Sequence, residues 1–433
     1  MTKRMFIALV SICILILGAS LGSAKAKNED VKTIKIGVAG PMKFVAGESH
    51  WRGALMARDE INKAGGVLLG GEKKKIELVK VDTNEILSVS DAVLAIERAA
   101  KKVHFFVGTK RSESALAMQD VAMKHKKIFI GCGAAHPALC VRVAKDYEKF
   151  KYYFRVVINS KYMGKILFLH LGEVAEIVKA ELGIEKPKVA VLADKLKWAD
   201  PVVKAVEVNA PKMGMEIVGV WRPSATASDV TAELAAIKNS GAQIIFQAVS
   251  GPMGVALGKQ WGELQIPAAL IGGNAHAIVK TFWEATGGYG HYVTTQSGTG
   301  PAKITEKTIP FWETFVKRFN AFPGYESVTY DAIYILKEAI ERADTLDPDL
   351  LVSEIEKTDY AGAFGRMVFY PRTHQFAHDV KFGPGYNTWI LVQWRDGGKL
   401  VCIWPNGWQG VKYDGVEKYQ LPPWVIEYWK GKK

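Results

Sequence analysis

Ser112 and the preceding Arg111 stand where a strand-like run gives way to a helix-like one. A serine there sets its hydroxyl beside the free N–H groups of a first helical turn, and an anion suits both. An ordinary helix N-cap accounts for Ser112 as well, and one residue can fill both roles. The glycine-rich run GCGAAHPAL at 131–139 carries no phosphate-loop lysine and lacks the third glycine of a dinucleotide loop. G-x-S-x-G, H-E-x-x-H and C-x-x-C patterns are all missing from the chain. A hydrolase elbow and a zinc site therefore have no support, and no catalytic residue, metal or cofactor is expected. Cys132 and Cys140, eight residues apart, can form a disulfide in an oxidising compartment. They fit equally as small buried hydrophobes. With Cys402 they make an odd number past the leader, which is not a disulfide framework.

The elements around these residues alternate. Apolar runs at 33–38 (TIKIGV), 75–82 (KIELVKVD), 103–108 (VHFFVG) and 127–131 (KIFIG) read as strands. Helical periodicity falls between and after them, at 48–63, 88–102 and 112–125. This alternation predicts a parallel, doubly wound α/β sheet. Residues 151–157 (KYYFRVV) interrupt the rhythm, and a helix follows at 162–182. The rhythm restarts with strands at 188–193, 216–221, 243–249 and 268–272 and helices at 201–213, 228–240 and 254–264. Two αβ halves thus lie in tandem. Ligands of open parallel sheets sit beyond the carboxyl ends of the strands, here 39–40, 108–114 and 131–136. Further helices are expected at 308–320 and 330–343. A hairpin is expected over 387–404, turning at Asp396, Gly397 and Gly398. Half of the twelve tryptophans lie from Trp389 onward, so 406–433 reads as a Trp/Pro-rich strap over apolar surface.

The amino terminus points to export. Lys3 and Arg4 precede an apolar run over 6–17, too short to span a bilayer, and Ala24-Lys25-Ala26 fits a cleavage site. An uncleaved membrane anchor is the alternative. Ile12 before Cys13 argues against a lipoprotein. Residues 1–26 are expected to be a signal peptide, and the mature chain to be periplasmic. An apolar fraction of 48% marks a globular protein. The net charge of +13 is scattered, with acids among the lysines, and no nucleic-acid module accompanies it. A solvated basic surface with a general affinity for anions is the reading.

Four stretches in order carry a resemblance: IKIGVAGPMKFVAGESHWRGALMARDEINKAGG at 34–66, YYFRVV at 152–157, YDAIYILKEAIERA at 330–343 and VQWRDGGKLVCIWP at 392–405. The chain resembles the branched-chain amino-acid-type periplasmic substrate-binding proteins of ABC importers. The resemblance implies two Rossmann-like lobes joined by a three-segment hinge, with ligand trapped between them. It implies lobe 1 at 27–153 plus about 290–345, and lobe 2 at 154–289 plus about 346–405. By position it places a ligand carboxylate on Ser112 and on the backbone of Gly133, Ala134 and Ala135, with Arg111 adjacent. Many amino-acid binders carry a threonine hydroxyl where this chain has Ala135.

In lobe 2 the implied residues are Trp198, Ser250 and Asn274. Trp198 offers a flat ring to the ligand or packs locally. Asn274 stands where amino-acid binders place an acid for the ligand ammonium, and an amide supplies no such charge. Asp331 or Glu48 can supply it instead, although Asp331 also suits a helix N-terminus. The function implied is capture of a small carboxylate-bearing ligand, a branched-chain amino acid or a related aliphatic or aromatic acid. The protein is expected to be a monomer that delivers this ligand to an ABC-importer permease, without enzymatic activity. A ligand sensor acting on a membrane receptor is the alternative, and an exported hydrolase a more distant one.

Overall fold

The computed structural model describes residues 31–432; the leader expected over 1–26 lies outside them. Strand β1 (Thr33–Gly40) is buried along most of its length, as a strand covered by helices on both faces must be. Helix α1 (Val45–Lys63) follows it, then strands β2 (Val67–Leu69) and β3 (Glu72–Asp82) and helix α2 (Val89–Ala100). Strand β4 (Phe105–Gly108), helix α3 (Ser112–Lys124), strand β5 (Phe129–Gly131), helices α4 (Ala138–Lys145) and α5 (Tyr147–Phe150) and strand β6 (Tyr153–Arg155) complete the first half. The strands form one sheet of order β2-β3-β1-β4-β5-β6, parallel apart from the β2–β3 hairpin. The run 151–157 that broke the sequence rhythm therefore supplies this sheet's last strand.

Helix α6 (Ser160–Leu182) opens the second half. Its Asn159 N-cap accepts from the N–H groups of Lys161 and Tyr162, and Gly183 ends it in the left-handed conformation. Then come β7 (Lys188–Ala193), α7 (Asp200–Asn209), β8 (Glu216–Trp221), α8 (Thr231–Asn239), β9 (Ile244–Val249), α9 (Met253–Glu263), β10 (Ala269–Asn274) and α10 (Thr281–Ala285). Their four strands make a second parallel sheet, β10-β9-β7-β8. The fold is thus a pair of doubly wound α/β lobes, as the alternation predicted.

The remaining chain stitches the lobes together. Strand β11 (Thr294–Ser297) leads to helices α11 (Thr308–Phe319), α12 (Glu326–Ala343) and α13 (Pro348–Glu356), and then to the short hairpin β12 (Asp359–Ala361) and β13 (Arg366–Val368). Strands β14 (Ile390–Arg395) and β15 (Lys399–Trp404) form the expected hairpin through 396–398, and β14 also pairs with β11. Two expected boundaries move. Residues 290–297 belong with lobe 2, because β11 pairs with β14 there. Residues 346–369 belong with lobe 1, because Asp349 on α13 accepts from the Tyr152 hydroxyl at 2.6 Å and pairs with Lys126. Neither partner is visible in a linear pattern. The crossings lie near 156–159, 298–307 and 381–389.

The tail holds strands β16 (Asn406–Trp408) and β17 (Val411–Lys412) and helix α14 (Pro423–Lys430). Trp424 and Trp429 donate their indole N–H groups to the carbonyls of Ile266 and Pro267, at 3.0 and 2.6 Å. The strap therefore closes over the edge of lobe 2. Cys132 and Cys140 are free, buried thiols, which removes the disulfide alternative. Cys132 instead donates to the Ile130 carbonyl at 3.3 Å, and burial pushes its thiol up to about 12. Among the described residues no helix is long and apolar enough to cross a membrane.

At the end of β6 the chain buries an ion pair. Arg155 donates from Nε and Nη2 to both oxygens of Asp379, at 2.8 and 2.6 Å, and neither side chain is exposed. Removing one member leaves the other charged and desolvated. Asp379→Ala is expected to cost about 3–5 kcal/mol of unfolding free energy, read by urea denaturation. A loss below about 1 kcal/mol, the worth of an exposed pair, would show that water compensates the guanidinium.

Candidate functional site

Each sheet has one point where the strand order reverses, and a crevice opens there beyond the strand ends. In lobe 1 it lies between β1 and β4, at Gly40 and Gly108; in lobe 2 between β7 and β9, at Ala193 and Val249. The β4–α3 turn needs its glycine. Gly108 has φ +119°, and a Cβ there would stand 2.1 Å from the Ala39 carbonyl oxygen. Gly133 is needed for a close approach: its Cβ would meet the Thr109 carbonyl oxygen at 2.6 Å. The loops after β4 and β5 thus lie against each other. Beneath them His50 on α1 joins Thr109 O, 3.1 Å from Nε2, to the Thr329 hydroxyl, 2.8 Å from Nδ1. Burial, then Lys110, lowers the His50 pKa to about 3, so the ring is neutral and donates to the carbonyl through Nε2.

This packing brings Ser112, Gly133, Ala134 and Ala135 together. Arg111 is the N-cap of α3 and makes no side-chain cap bond; Ser112 is the first helical residue. The N-cap role considered for Ser112 therefore passes to its neighbour. The Ser112 hydroxyl oxygen accepts from the His136 N–H at 3.2 Å, and its own proton is uncommitted among the described residues. The N–H groups of Gly133, Ala134 and Ala135 likewise find no acceptor among the described residues. Their carbonyls face other work: Arg155 Nη1 lies 3.4 Å from Ala134 O, and the Ser160 N–H donates to Ala135 O. Arg111 turns its guanidinium to the Ile86 carbonyl at 2.8 Å and to Glu113 at 3.4 Å. The result is a cluster of donors unpaired among the described residues, which suits a carboxylate.

Lobe 2 is organised by Asp194, a residue the sequence reading passed over although it lies four before Trp198. Its Oδ2 accepts from the N–H groups of Ser250 and Gly251, at 2.7 and 3.0 Å, and more distantly from the Ser250 hydroxyl at 3.4 Å. Its Oδ1 is buried with no partner among the described residues. Burial raises its pKa against these bonds. Trp198, in the turn before α7, is half-buried against the larger core, and its indole N–H has no partner among the described residues. Asn274 is fully committed. Its amide donates to Gln247 Oε1 and Gly254 O, and its oxygen accepts from the His276 N–H. Both of its amide N–H donors are thus taken up within lobe 2.

The two acids considered as ammonium partners are also placed elsewhere. Asp331 is buried on α12 and accepts from the Ala363 and Phe364 N–H groups at 2.9 and 2.8 Å, holding the β12–β13 turn. Burial pushes its pKa up to about 7. Glu48 is exposed on α1 and pairs with Arg52. The cations that face the crevice went unnoticed in the sequence. Lys110 lies over the Tyr325 ring, 3.4 Å from its centre, and lowers the pKa of His276 on the opposite lobe, after burial. His136 of lobe 1 feels Lys197 of lobe 2 in the same way. Lysines are too common for spacing to single these out; only the meeting of loops distant in sequence does.

Two doubly wound sheets facing across a donor-lined crevice define a two-lobed solute-binding protein. Residues 33–398 match the family model described as periplasmic binding protein, and the chain belongs to that family. A protein of Brucella suis described as a Leu/Ile/Val-binding protein homolog is 24% identical over 420 residues, covering 90% of this chain and 96% of that one. The crystal structure of a leucine-binding protein from Thermotoga maritima aligns with TM-score 0.68 at 20% identity, over 86% of this chain and 97% of that one. An ABC-transporter solute-binding protein from R. palustris, solved with benzoate, also gives 0.68, at 17% identity, over 86% and 95%.

One acid beside the donor edge makes stability depend on pH. Glu85 is fully buried; its Oε1 accepts from the Lys110 N–H at 2.6 Å, and its Oε2 has no partner among the described residues. Burial pushes its pKa up to about 8, against the pull of the Lys110 and Arg111 N–H groups and charges. The folded state holds this proton more tightly than the unfolded chain. Its contribution is complete below about 4.5 and is lost as pH rises through about 8. Glu85→Gln, which has no proton to lose, is expected to melt at a temperature that falls less across that window than the wild type's. Parallel melting curves for the two proteins would refute the assignment.

Proposed function

We propose that the crevice captures a small aromatic or branched aliphatic carboxylic acid and that the protein hands it to the membrane permease of an ABC importer. One observation carries the choice of ligand. The unpaired N–H groups of Gly133, Ala134 and Ala135 and the free Ser112 proton suit a carboxylate, while Asn274, Asp331 and Glu48 are all engaged elsewhere. An ammonium group closed into the crevice without a counter-charge is costly. Lys110, Arg111 and Lys197 add a positive field at the mouth, which favours an anion. Trp198 supplies ring surface for an apolar body. A plain branched-chain amino acid is the second reading, and Asp194 Oδ1, buried and unpartnered, is the observation in its favour.

Calorimetry with benzoate, 4-methyl-2-oxopentanoate, leucine and phenylalanine separates the two. The acids without an amine are expected to bind at least as tightly as leucine, and to be recovered chemically unchanged. Tight binding of leucine alone establishes the second reading. A charge-assisted bond is worth roughly 1.5–3 kcal/mol, so Ser112→Ala should weaken the acids about tenfold or more. Unchanged affinity in that variant removes the carboxylate seat.

The protein acts outside the cytoplasm as a monomer after loss of its leader. Sequencing of the exported protein should find an amino terminus between residues 25 and 28, and light scattering a single chain. An intact Met1, or a stable dimer, contradicts this.

A further inference from the structure

Lobe 1 has a second end. At the amino-terminal ends of β1, β4 and β5, opposite the crevice, the surface sinks into a cavity of about 630 Å³. That volume lies within the range of small-molecule sites, roughly 300–1,000 Å³. Its lining collects six basic side chains: Lys32, Lys35, Lys101, Lys102, Lys127 and His104. They come from three separate stretches of chain that the parallel sheet brings side by side.

Counter-charge is scarce there among the described residues. Among the described residues the one ion pair any of the six makes is Lys35 with Glu77, at 3.8 Å between exposed side chains. Glu97, within electrostatic reach of Lys101, is held by His125 at 2.8 Å. Lys127 turns its ammonium to a backbone carbonyl, Val103 O at 2.8 Å. His104 accepts the Lys35 N–H on Nδ1 at 2.9 Å, which leaves its Nε2 as the protonated nitrogen. Its pKa is lowered first by burial and then by Lys127 and Lys35. Five lysines around one hollow repel one another, and a bound anion relieves that repulsion.

We propose that this hollow is a binding site for anions that present two or more phosphate groups together. Lysine ammonium groups are compact point charges that bind phosphate readily. A single carboxylate reaches one or two of them, whereas linked or clustered phosphates engage ammonium groups on several walls of the cavity. Two sources offer that chemistry: a soluble polyphosphate, and a membrane surface where anionic phospholipid headgroups lie side by side. The negative potential of such a surface attracts clustered lysines. The site is independent of the ligand chosen for the crevice, because the two lie at opposite ends of the lobe 1 strands.

The test uses the mature exported protein, titrated calorimetrically with tripolyphosphate. Binding that weakens with salt is expected, and K101E/K102E should reduce affinity about tenfold or more. Both lysines are exposed, so folding is not at risk; Lys32→Ala is the milder second variant. K212A/K238A, exposed on lobe 2, should bind as the wild type does. Sedimentation with vesicles of phosphatidylcholine, with and without phosphatidylglycerol, separates the sources. Co-sedimentation that needs phosphatidylglycerol and is lost in K101E/K102E assigns the site to lipid headgroups. Tripolyphosphate binding without co-sedimentation assigns it to a soluble anion. Absence of both, or equal binding by K101E/K102E, overturns the proposal. Crevice affinity for benzoate serves as the control and should not change in these variants.

Discussion

The buried pair of Arg155 and Asp379 is the constraint on which the rest of the molecule leans. Arg155 ends the last strand of the first sheet, at the point where the chain leaves for lobe 2. Its guanidinium spends two donors on Asp379 and a third on the His136 carbonyl at 2.8 Å. Asp379 accepts in addition from Asn159, the N-cap of α6. One carboxylate thus fixes the edge of one sheet, the loop that carries the proposed ligand donors, and the first helix of the other lobe. The backbone continues the link: residues 378–380 lie alongside Arg155, with bonds of 2.9 Å in both directions. A buried pair is seldom a net source of stability against a well-packed apolar alternative. Its value here is geometric, since both partners lose heavily if the third crossing drifts away from the first.

That anchoring explains how a site can be made largely of backbone. The donors at Gly133, Ala134 and Ala135 have no side chain to aim them, so the loop itself must be held. Arg155 holds it through the carbonyl side, Ser160 takes the Ala135 oxygen, and the close contact with Thr109 sets its height. His50 completes the floor as a neutral ring, because burial removes its proton. The N–H groups are left facing a crevice with few anionic competitors. For the proposed ligand, selectivity then rests on charge. Glu85 and Asp331 are held toward the neutral form by burial at ordinary pH, while Lys110 and Lys197 remain at the rim. A site so arranged favours an anion by omission as much as by contact.

If both proposed sites hold, the two ends of lobe 1 let one sheet support two kinds of recognition. At the carboxyl ends, helix starts and turn amides converge, and the donors are rigid dipoles. At the amino ends, the loops entering the strands carry lysines on flexible stems. The first arrangement would select shape and protonation state; the second would select charge number. The parallel sheet separates them physically, so neither needs to compromise the other.

Much of this was legible in the chain itself. The apolar runs of β1, β4, β7 and β9 and the helical periods between them dictate paired doubly wound sheets, because strands buried on both faces must be continuously apolar. The Asp396-Gly397-Gly398 turn was legible for the same kind of local reason: glycine alone favours its left-handed backbone. Ser112 stood out by its place before a helix. What local pattern does not encode is where distant segments meet. Strand β11 found its partner in β14, and α13 its anchor at Tyr152, by pairing across about a hundred residues or more. The same limit decided the charged residues. Asp331 looked like a free acid until the β12–β13 turn closed over it, and Asn274 like a ligand contact until Gln247 and Gly254 claimed its amide. Composition states which groups exist, but only the tertiary arrangement states which have partners, and an unpartnered group in a crevice is what binds.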